Sequence, residues 1–127
     1  MVGTKYRNRK VEYEGIIFDS KKEMNRYKEL QLLQSAGHIY GLRRQVKYIL
    51  IPEQRGASPG VYTKGPRKGQ GKPGKLLEKE CAYIADFVYY DEEQGLVVED
   101  TKGFRTPEYI IKRKLMLQVH SIQIREI

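Results

Sequence analysis

Aromatic and β-branched residues are concentrated in two neighbouring stretches near the middle of the chain, YIADFVYY and LVVEDTK, which the turn DEEQG separates. This density predicts two strands, and the short turn makes them an antiparallel hairpin over residues 80–102. Gly95 favours a three-residue loop, because a glycine commonly occupies the left-handed position of such loops. A loop of that length pairs even-numbered residues with even-numbered ones. A two- or four-residue loop would instead place Asp86 beside Glu99.

Two further patterns lie before this hairpin. The segment VEYEGIIF alternates around Glu14 and Gly15 and predicts a short hairpin. Ser20, followed three residues later by Glu23, has the spacing of a capping box and predicts the start of a helix that Gly37 ends. The expected buried stripe of this helix has the helical period and comprises Met24, Tyr27, Leu30, Leu33 and Ala36.

The remaining elements complete the order of an α/β fold. Residues 42–51 predict a strand that ends at Pro52, and residues 108–119 predict a second helix after Gly103 and Pro107. The apolar side of that helix is expected to carry Ile111, Leu115 and Val119. The final segment, SIQIREI, predicts one more strand. We therefore expect a single domain over residues 1–127, with a mixed sheet and helices packed on it.

Positive charge is concentrated in two segments of a chain whose net charge is +8. Residues 1–10 form a tail with four basic residues and no acidic one, and residues 53–76 hold six basic residues, six glycines and three prolines. We interpret the second segment as a flexible loop that binds nucleic acid, although basic segments also serve solubility alone. The expected nucleic-acid contacts are Lys64, Arg67, Lys68, Lys112 and Lys114.

Several classes of protein are disfavoured by what the chain lacks. No apolar run is long enough to cross a bilayer, and residues 1–10 do not resemble a signal peptide, so we expect a cytoplasmic protein without membrane contacts. The single cysteine, Cys81, cannot form an internal disulfide. Together with His38 and His120 it is too sparse for a zinc site.

The candidate chemistry lies in the central hairpin, where charged residues interrupt apolar strands. Asp100 and Lys102 point to one side of their strand, and Glu99 and Thr101 point to the other. With an odd loop, Asp86 joins Asp100 and Lys102. Two close carboxylates repel unless a cation lies between them, and oxygen ligands of this kind suit Mg²⁺. The alternative is a plain ion pair between Asp86 and Lys102.

Glu23 is the candidate for a third acidic group. It lies at the edge of the helix stripe that is expected to face the sheet, from where its carboxylate can reach the same patch. Its alternative role is that of the capping-box partner of Ser20. Gln45, on the following strand, is a weaker candidate for orienting a water or a phosphate.

The ordered pieces FDSKKE, GLRRQVKY, YIADFVYYD and VVEDTKGF resemble the PD-(D/E)XK nuclease superfamily, and within it a small family of phage and prophage endonuclease-like proteins. Asp86 corresponds to the first aspartate of the motif, residues 100–102 to (D/E)-x-K, and Glu23 to the helix acid. Ala85 stands where the fullest form of the motif has proline. Wider relatives include Holliday-junction resolvases and transposon-end nucleases.

The resemblance implies a restriction-endonuclease-like αβββαβ core and Mg²⁺- or Mn²⁺-dependent cleavage of DNA. It makes Asp86 and Asp100 metal ligands, helped by the Thr101 carbonyl, with Glu99 the runner-up to Asp100. Lys102 would act on the water or the scissile phosphate, and Glu23 would support the metal. The expected substrate is branched or structured DNA in phage recombination or replication, inside a bacterial host. A homodimer and a phage recombination or replication partner fit this setting.

Two other functions remain open from the sequence. The chain is alternatively a non-catalytic nucleic-acid-binding accessory protein that retains the nuclease fold. A protein-interaction domain, in which Asp86 and Lys102 merely pair, is less compatible with the net charge of +8.

Overall fold

The fold is a mixed sheet with two core clusters, and one helix packs into each cluster. The computed structural model describes residues 9–127. The basic tail predicted at residues 1–10 lies outside the described residues, apart from Arg9 and Lys10. The elements are β1 (Val11–Tyr13), β2 (Ile16–Phe18), α1 (Lys21–Ser35), β3 (Ile39–Ile51), β4 (Gln54–Arg55), β5 (Leu76–Glu78), β6 (Cys81–Asp91), β7 (Gly95–Asp100), α2 (Pro107–His120) and β8 (Arg125–Glu126).

The main sheet has four strands in the order β3-β6-β7-β8, in which β8 runs parallel to β7 and the other pairs are antiparallel. This arrangement confirms the predicted α/β class with its mixed sheet, and β1 and β2 confirm the N-terminal hairpin. The last strand is shorter than SIQIREI suggested. Only Arg125 and Glu126 pair with β7, while Ile122 and Ile124 pack into the core beside the sheet.

Helix α1 begins where the sequence predicts. The Ser20 hydroxyl accepts a hydrogen bond from the backbone N–H of Glu23 at 3.1 Å, and Gly37 takes a left-handed conformation just after the helix. The predicted stripe is wrong at its C-terminal end, where Leu33 and Ala36 are exposed. Ile39, at the start of β3, packs in one cluster with Leu30, so the last turn of the helix is left outside the core.

Helix α2 also begins and ends close to the predicted residues, but the predicted apolar face is confirmed only at Leu115, which packs against the core, and is wrong at the other two residues. Ile111 is 59 % exposed and Val119 is 49 % exposed, whereas Tyr109 and Met116 are buried. The face that packs on the sheet is therefore centred on residues 109 and 116. Arg113 lies between these two residues, and its guanidinium donates a hydrogen bond to Glu126 of β8 at 3.4 Å. Arg113 is therefore on the same face of the helix.

The basic segment 53–76 contains more backbone pairing than the sequence suggested. Strands β4 and β5 pair at its base, and Val61 forms a bridge with Gly71 further out. Tyr62 is half-buried in this arm, with the Arg67 guanidinium 5.7 Å from the centre of its ring. The charged residues of the segment are thus presented on an arm with paired strands.

Candidate active site

The register of the central hairpin brings Asp86 and Asp100 opposite one another. Phe87 pairs with Glu99, and Asp91 pairs with Gly95, so that three residues form the loop and even-numbered residues face even-numbered ones. Gly95 has the left-handed conformation (φ +77°) that this loop requires. The prediction of an odd loop is therefore confirmed.

In both β3 and β6, the regular alternation of side chains between the two faces of the sheet is interrupted near Asp86. In β3, Leu42 packs with the α1-side cluster, whereas Val46 packs with the cluster beneath α2, although an alternating strand would place both on one side. In β6, Ala85 and Phe87 are divided between the same two clusters. Gln45, opposite Asp86, has a left-handed backbone (φ +51°), which interrupts the regular alternation of β3 at this point.

The carboxylate of Asp86 is held by Thr101 and Gln45. The backbone N–H and the hydroxyl of Thr101 each donate to its Oδ2 at 2.8 Å, and the Gln45 amide approaches its Oδ1 at 3.4 Å. The expectation that the Thr101 side chain points away from the acidic patch is therefore wrong. Strand β7 ends at Asp100, so alternation no longer governs the direction of the next side chain.

Asp100 is almost fully buried and only half satisfied. Its Oδ2 accepts a hydrogen bond from the Tyr83 hydroxyl, but its Oδ1 has no hydrogen-bond partner, and the Lys102 ammonium is 3.8 Å away from that oxygen. Burial raises the pKa of Asp100 to about 6, even though Tyr83 favours the charged form; the nearby Asp86 raises it further. A buried oxygen without a donor is costly and calls for a cationic partner.

Glu23 points into the same region from the first turn of α1. It is only 3 % exposed, and its Oε1 accepts from the Gln45 amide at 3.2 Å, with Arg44 at 3.8 Å. Burial, and next the charge of Asp86, raise the pKa of Glu23 to about 7. The cap uses the backbone N–H of Glu23, and its carboxylate is turned to Gln45, so the capping contact leaves the carboxylate available for the predicted site role.

Glu99 has a different environment, although it is adjacent to Asp100. The Arg26 guanidinium donates two hydrogen bonds to its carboxylate, at 2.8 and 2.6 Å, and the Tyr89 hydroxyl donates a third. Its oxygens are thus occupied by protein donors. This geometry favours Asp100 over Glu99 as the acid that faces the candidate site.

The acidic residues line an open cleft of about 290 Å³ together with Lys102 and Thr101. Within residues 9–127, no group of three or more histidine, cysteine, aspartate or glutamate side chains is arranged to hold a metal ion. The free Oδ1 of Asp100 beside Asp86 fits a hard cation such as Mg²⁺, which needs only one or two carboxylates.

The expected nucleic-acid contacts fall in two places. Lys112 lies on α2 beside Lys102, where it pairs with Glu108 at 3.0 Å, and Lys114 is exposed on the same helix. Three others are exposed on the arm between β4 and β5, namely Lys64, Arg67 and Lys68. The structure thus brings Glu23, Asp86, Asp100, Thr101 and Lys102 together, and the arm residues lie outside this cleft.

Sequence reasoning missed Tyr83, which orients Asp100, and three cations beside the cleft, Arg9, Lys21 and Lys22. The two lysines directly follow the predicted cap Ser20, and that position was a usable signal. No such signal exists for Tyr83, which lies 17 residues before its partner and reads as an ordinary strand tyrosine.

Comparison with known proteins yields one assignment. No curated protein and no solved structure matches the chain. None of the helices within residues 9–127 is both long enough and apolar enough to span a membrane. A family model described as a protein of unknown function, DUF1064, matches residues 3–126. The chain therefore belongs to the DUF1064 family.

Proposed function

We propose that the protein is a metal-dependent DNA endonuclease of the PD-(D/E)XK type. The observation that carries this proposal is the buried Oδ1 of Asp100, which has no hydrogen-bond partner and lies in a cleft shared with Asp86 and Lys102. The Lys102 ammonium, 3.8 Å away, pairs with this oxygen without donating a hydrogen bond to it, whereas Arg26 donates two hydrogen bonds to Glu99 in the same strand. An oxygen left free at such cost is typical of a binding or catalytic group.

The order of elements supports the same proposal. Along the chain, α1, β3, β6, β7, α2 and β8 give the sequence αβββαβ of the superfamily core, with the hairpin β4–β5 inserted. The acids lie on α1, on β6 and at the end of β7, as the motif requires, and Lys102 follows Asp100 at the required spacing. This agreement is one of topology and motif position.

Each residue of the cleft has its own role in the proposed reaction. Asp86 and Asp100 would hold a divalent ion, and Glu23, linked to Asp86 through Gln45, would support one of its waters. The bound ion would neutralise the scissile phosphate and supply a water of lowered pKa. Thr101 fixes the Asp86 carboxylate, and the Tyr83 hydroxyl fixes that of Asp100, so that neither needs to reorganise.

Lys102 is placed to act on the reacting groups. Its ammonium is 3.8 Å from Asp100 and lies 5.1 Å from the centre of the Tyr109 ring, which keeps the side chain at the edge of the cleft. From there the ammonium would orient the attacking water or stabilise the charge that develops on the phosphate. Its side chain is 39 % exposed, so substrate has access to it.

The substrate proposed from the resemblance is branched or structured DNA, as in phage recombination or replication. The test is incubation of the purified protein with supercoiled plasmid, linear duplex and a four-way junction, each with Mg²⁺, Mn²⁺ or EDTA. We expect cleavage that needs the metal and is fastest on the junction. Replacing Lys102 by alanine should slow cleavage by about 100-fold or more, the typical loss for a transition-state contact.

Lys28→Ala is the matched control, because it removes one lysine from the outer part of α1 near Tyr13. It should cleave like the wild type. Binding of DNA without cleavage under every metal condition would contradict the proposal and support the alternative, a non-catalytic nucleic-acid-binding accessory protein. Equal cleavage by the Lys102→Ala variant would rule out the assigned role of Lys102.

A further inference from the structure

A basic pocket adjoins the acidic cleft at the start of α1. It has a volume of about 330 Å³, and its lining includes Arg9, Lys21 and Lys22. The two spaces share Ser20, Thr101 and Gly103 in their linings, so they lie side by side. A ligand that enters the cleft from this side therefore passes the three cations.

These cations have no anionic partner of their own. Within residues 9–127, none of the three is within ion-pair distance of a carboxylate. The eight preceding residues, MVGTKYRN, contain no acidic side chain either. This lack of pairing contrasts with Lys47, Arg55, Arg105 and Lys112, each of which has a carboxylate partner. Three unpaired cations in one concave surface attract an anion.

A second pocket that adjoins the acidic cleft also contains lysines. It has a volume of about 280 Å³, shares Lys102 and Thr106 with the cleft, and is lined in addition by Lys112 and by Glu108, which pairs with Lys112 at 3.0 Å. Basic side chains thus line both pockets that adjoin the acidic cleft, three of them unpaired in the first pocket and two of them beside a carboxylate in the second. A small anion would occupy one basic pocket alone, whereas a polynucleotide presents phosphates at regular spacing and fits both pockets at once.

We propose that the pocket formed by Arg9, Lys21 and Lys22 binds a backbone phosphate of the nucleic acid next to the one at the acidic cleft. This inference rests on the proposed function and extends it by giving the strand a path, from the start of α1, across Asp86 and Asp100, to Lys112. The contact is to the phosphate and carries no base specificity. The positive end of the α1 dipole adds to the attraction.

The test is binding of a 30-bp DNA duplex, measured by fluorescence anisotropy in EDTA, where no metal-dependent cleavage occurs. Each phosphate contact contributes about 0.9 to the slope of log K against log salt. We expect Lys22→Gln to lower this slope by about 0.9 and to weaken binding roughly tenfold at 50 mM salt. Lys21→Gln should behave in the same way.

Lys28→Gln is the control with the same change in net charge on the same helix. It should leave the slope unchanged. Equal slopes for Lys22→Gln and Lys28→Gln would overturn the inference, because the effect would then come from net charge alone. Thermal melts of all three variants should match the wild type, which ensures that binding and not folding is compared.

The outcome is separable from that of the nuclease test. A protein that never cleaves DNA but loses affinity on Lys22→Gln retains the phosphate site and lacks the proposed activity. A protein that cleaves DNA but binds it equally well after Lys22→Gln retains the activity, and its strand follows another path.

Discussion

Glu99 and Asp100 are adjacent in β7 and both are buried, yet their surroundings are opposite. Glu99 receives three hydrogen bonds, two from Arg26 and one from Tyr89, and joins α1 to the sheet. Asp100 receives one, from Tyr83, and its second oxygen has no hydrogen-bond partner, although the residue lines a cleft. A buried carboxylate that protein donors satisfy is costly to disrupt, because its partner would be left buried and unpaired. A buried carboxylate oxygen without a donor is costly as it stands, and we infer that it is retained for a bound ligand.

The largest effect on stability should come from removing the charge of Glu99, whose oxygens are hydrogen-bonded within the protein. Glu99→Gln removes the charge partner of Arg26 and should lower the free energy of unfolding by about 3 kcal/mol, the usual cost of leaving one member of a buried pair. Chemical denaturation measures this change. Glu29→Gln removes the exposed partner of the same arginine and should cost less than about 1 kcal/mol. Equal losses in the two variants would show that burial of Glu99 carries no special weight.

Asp100→Asn should have the opposite sign. The pKa of Asp100 is raised to about 6, so the folded state holds its proton more tightly than the unfolded state does. The contribution of Asp100 to stability is therefore fully present below pH 4 and is lost as pH rises to about 6. At pH 8 the asparagine variant should be more stable than the wild type by about 1–2 kcal/mol. The difference should vanish at pH 4.

Denaturation curves of both proteins from pH 4 to pH 8 check this prediction. Glu23, whose pKa is raised to about 7, remains in both proteins, but the charge of Asp100 is one of the causes that raise it. Removing that charge lowers the pKa of Glu23 towards its usual value, which also makes the variant more stable than the wild type at pH 8. If the variant were less stable than the wild type at pH 8, the charge of Asp100 would stabilise the fold as that of Glu99 does, which would contradict the prediction.

A smaller effect is expected at Gln45, where the backbone is left-handed. Glycine adopts a left-handed backbone without strain, so Gln45→Gly removes the strain at this position, whereas Gln45→Ala retains it. Both variants remove the amide that bridges Glu23 and Asp86. The glycine variant should therefore be more stable than the alanine variant by about 1 kcal/mol. Both should lose cleavage to a similar degree. Identical stability of the two variants would argue against strain at this position.

Much of the fold could be predicted because the deciding signals are local. Ser20 fixes the start of α1, and Gly95 fixes the loop and hence the register that brings Asp86 close to Asp100. The helix faces were harder, because Leu33 and Ile111 satisfy the helical period but find no partner in the core. Their exposure depends on which strands lie beneath each helix, and this is a long-range property.

The site was predictable in its members and less so in its detail. Strand alternation separates Asp100 from Glu99, but it gives no hint that Arg26, 73 residues away, neutralises Glu99. Alternation also fails at Thr101, because the strand ends one residue earlier. The interrupted alternation at Gln45 has no sequence signal, since glutamine is not a residue that favours a left-handed backbone.

The most direct test of the central claim is a Mn²⁺ soak of crystals, followed by anomalous diffraction at the manganese edge. We expect a single strong peak in the cleft, in contact with oxygens of Asp86 and Asp100, that disappears in the Asp100→Asn variant. A wild-type cleft without a peak at saturating Mn²⁺ would contradict metal binding by these two carboxylates. So would an Asp100 Oδ1 that is engaged by a protein donor in the crystal.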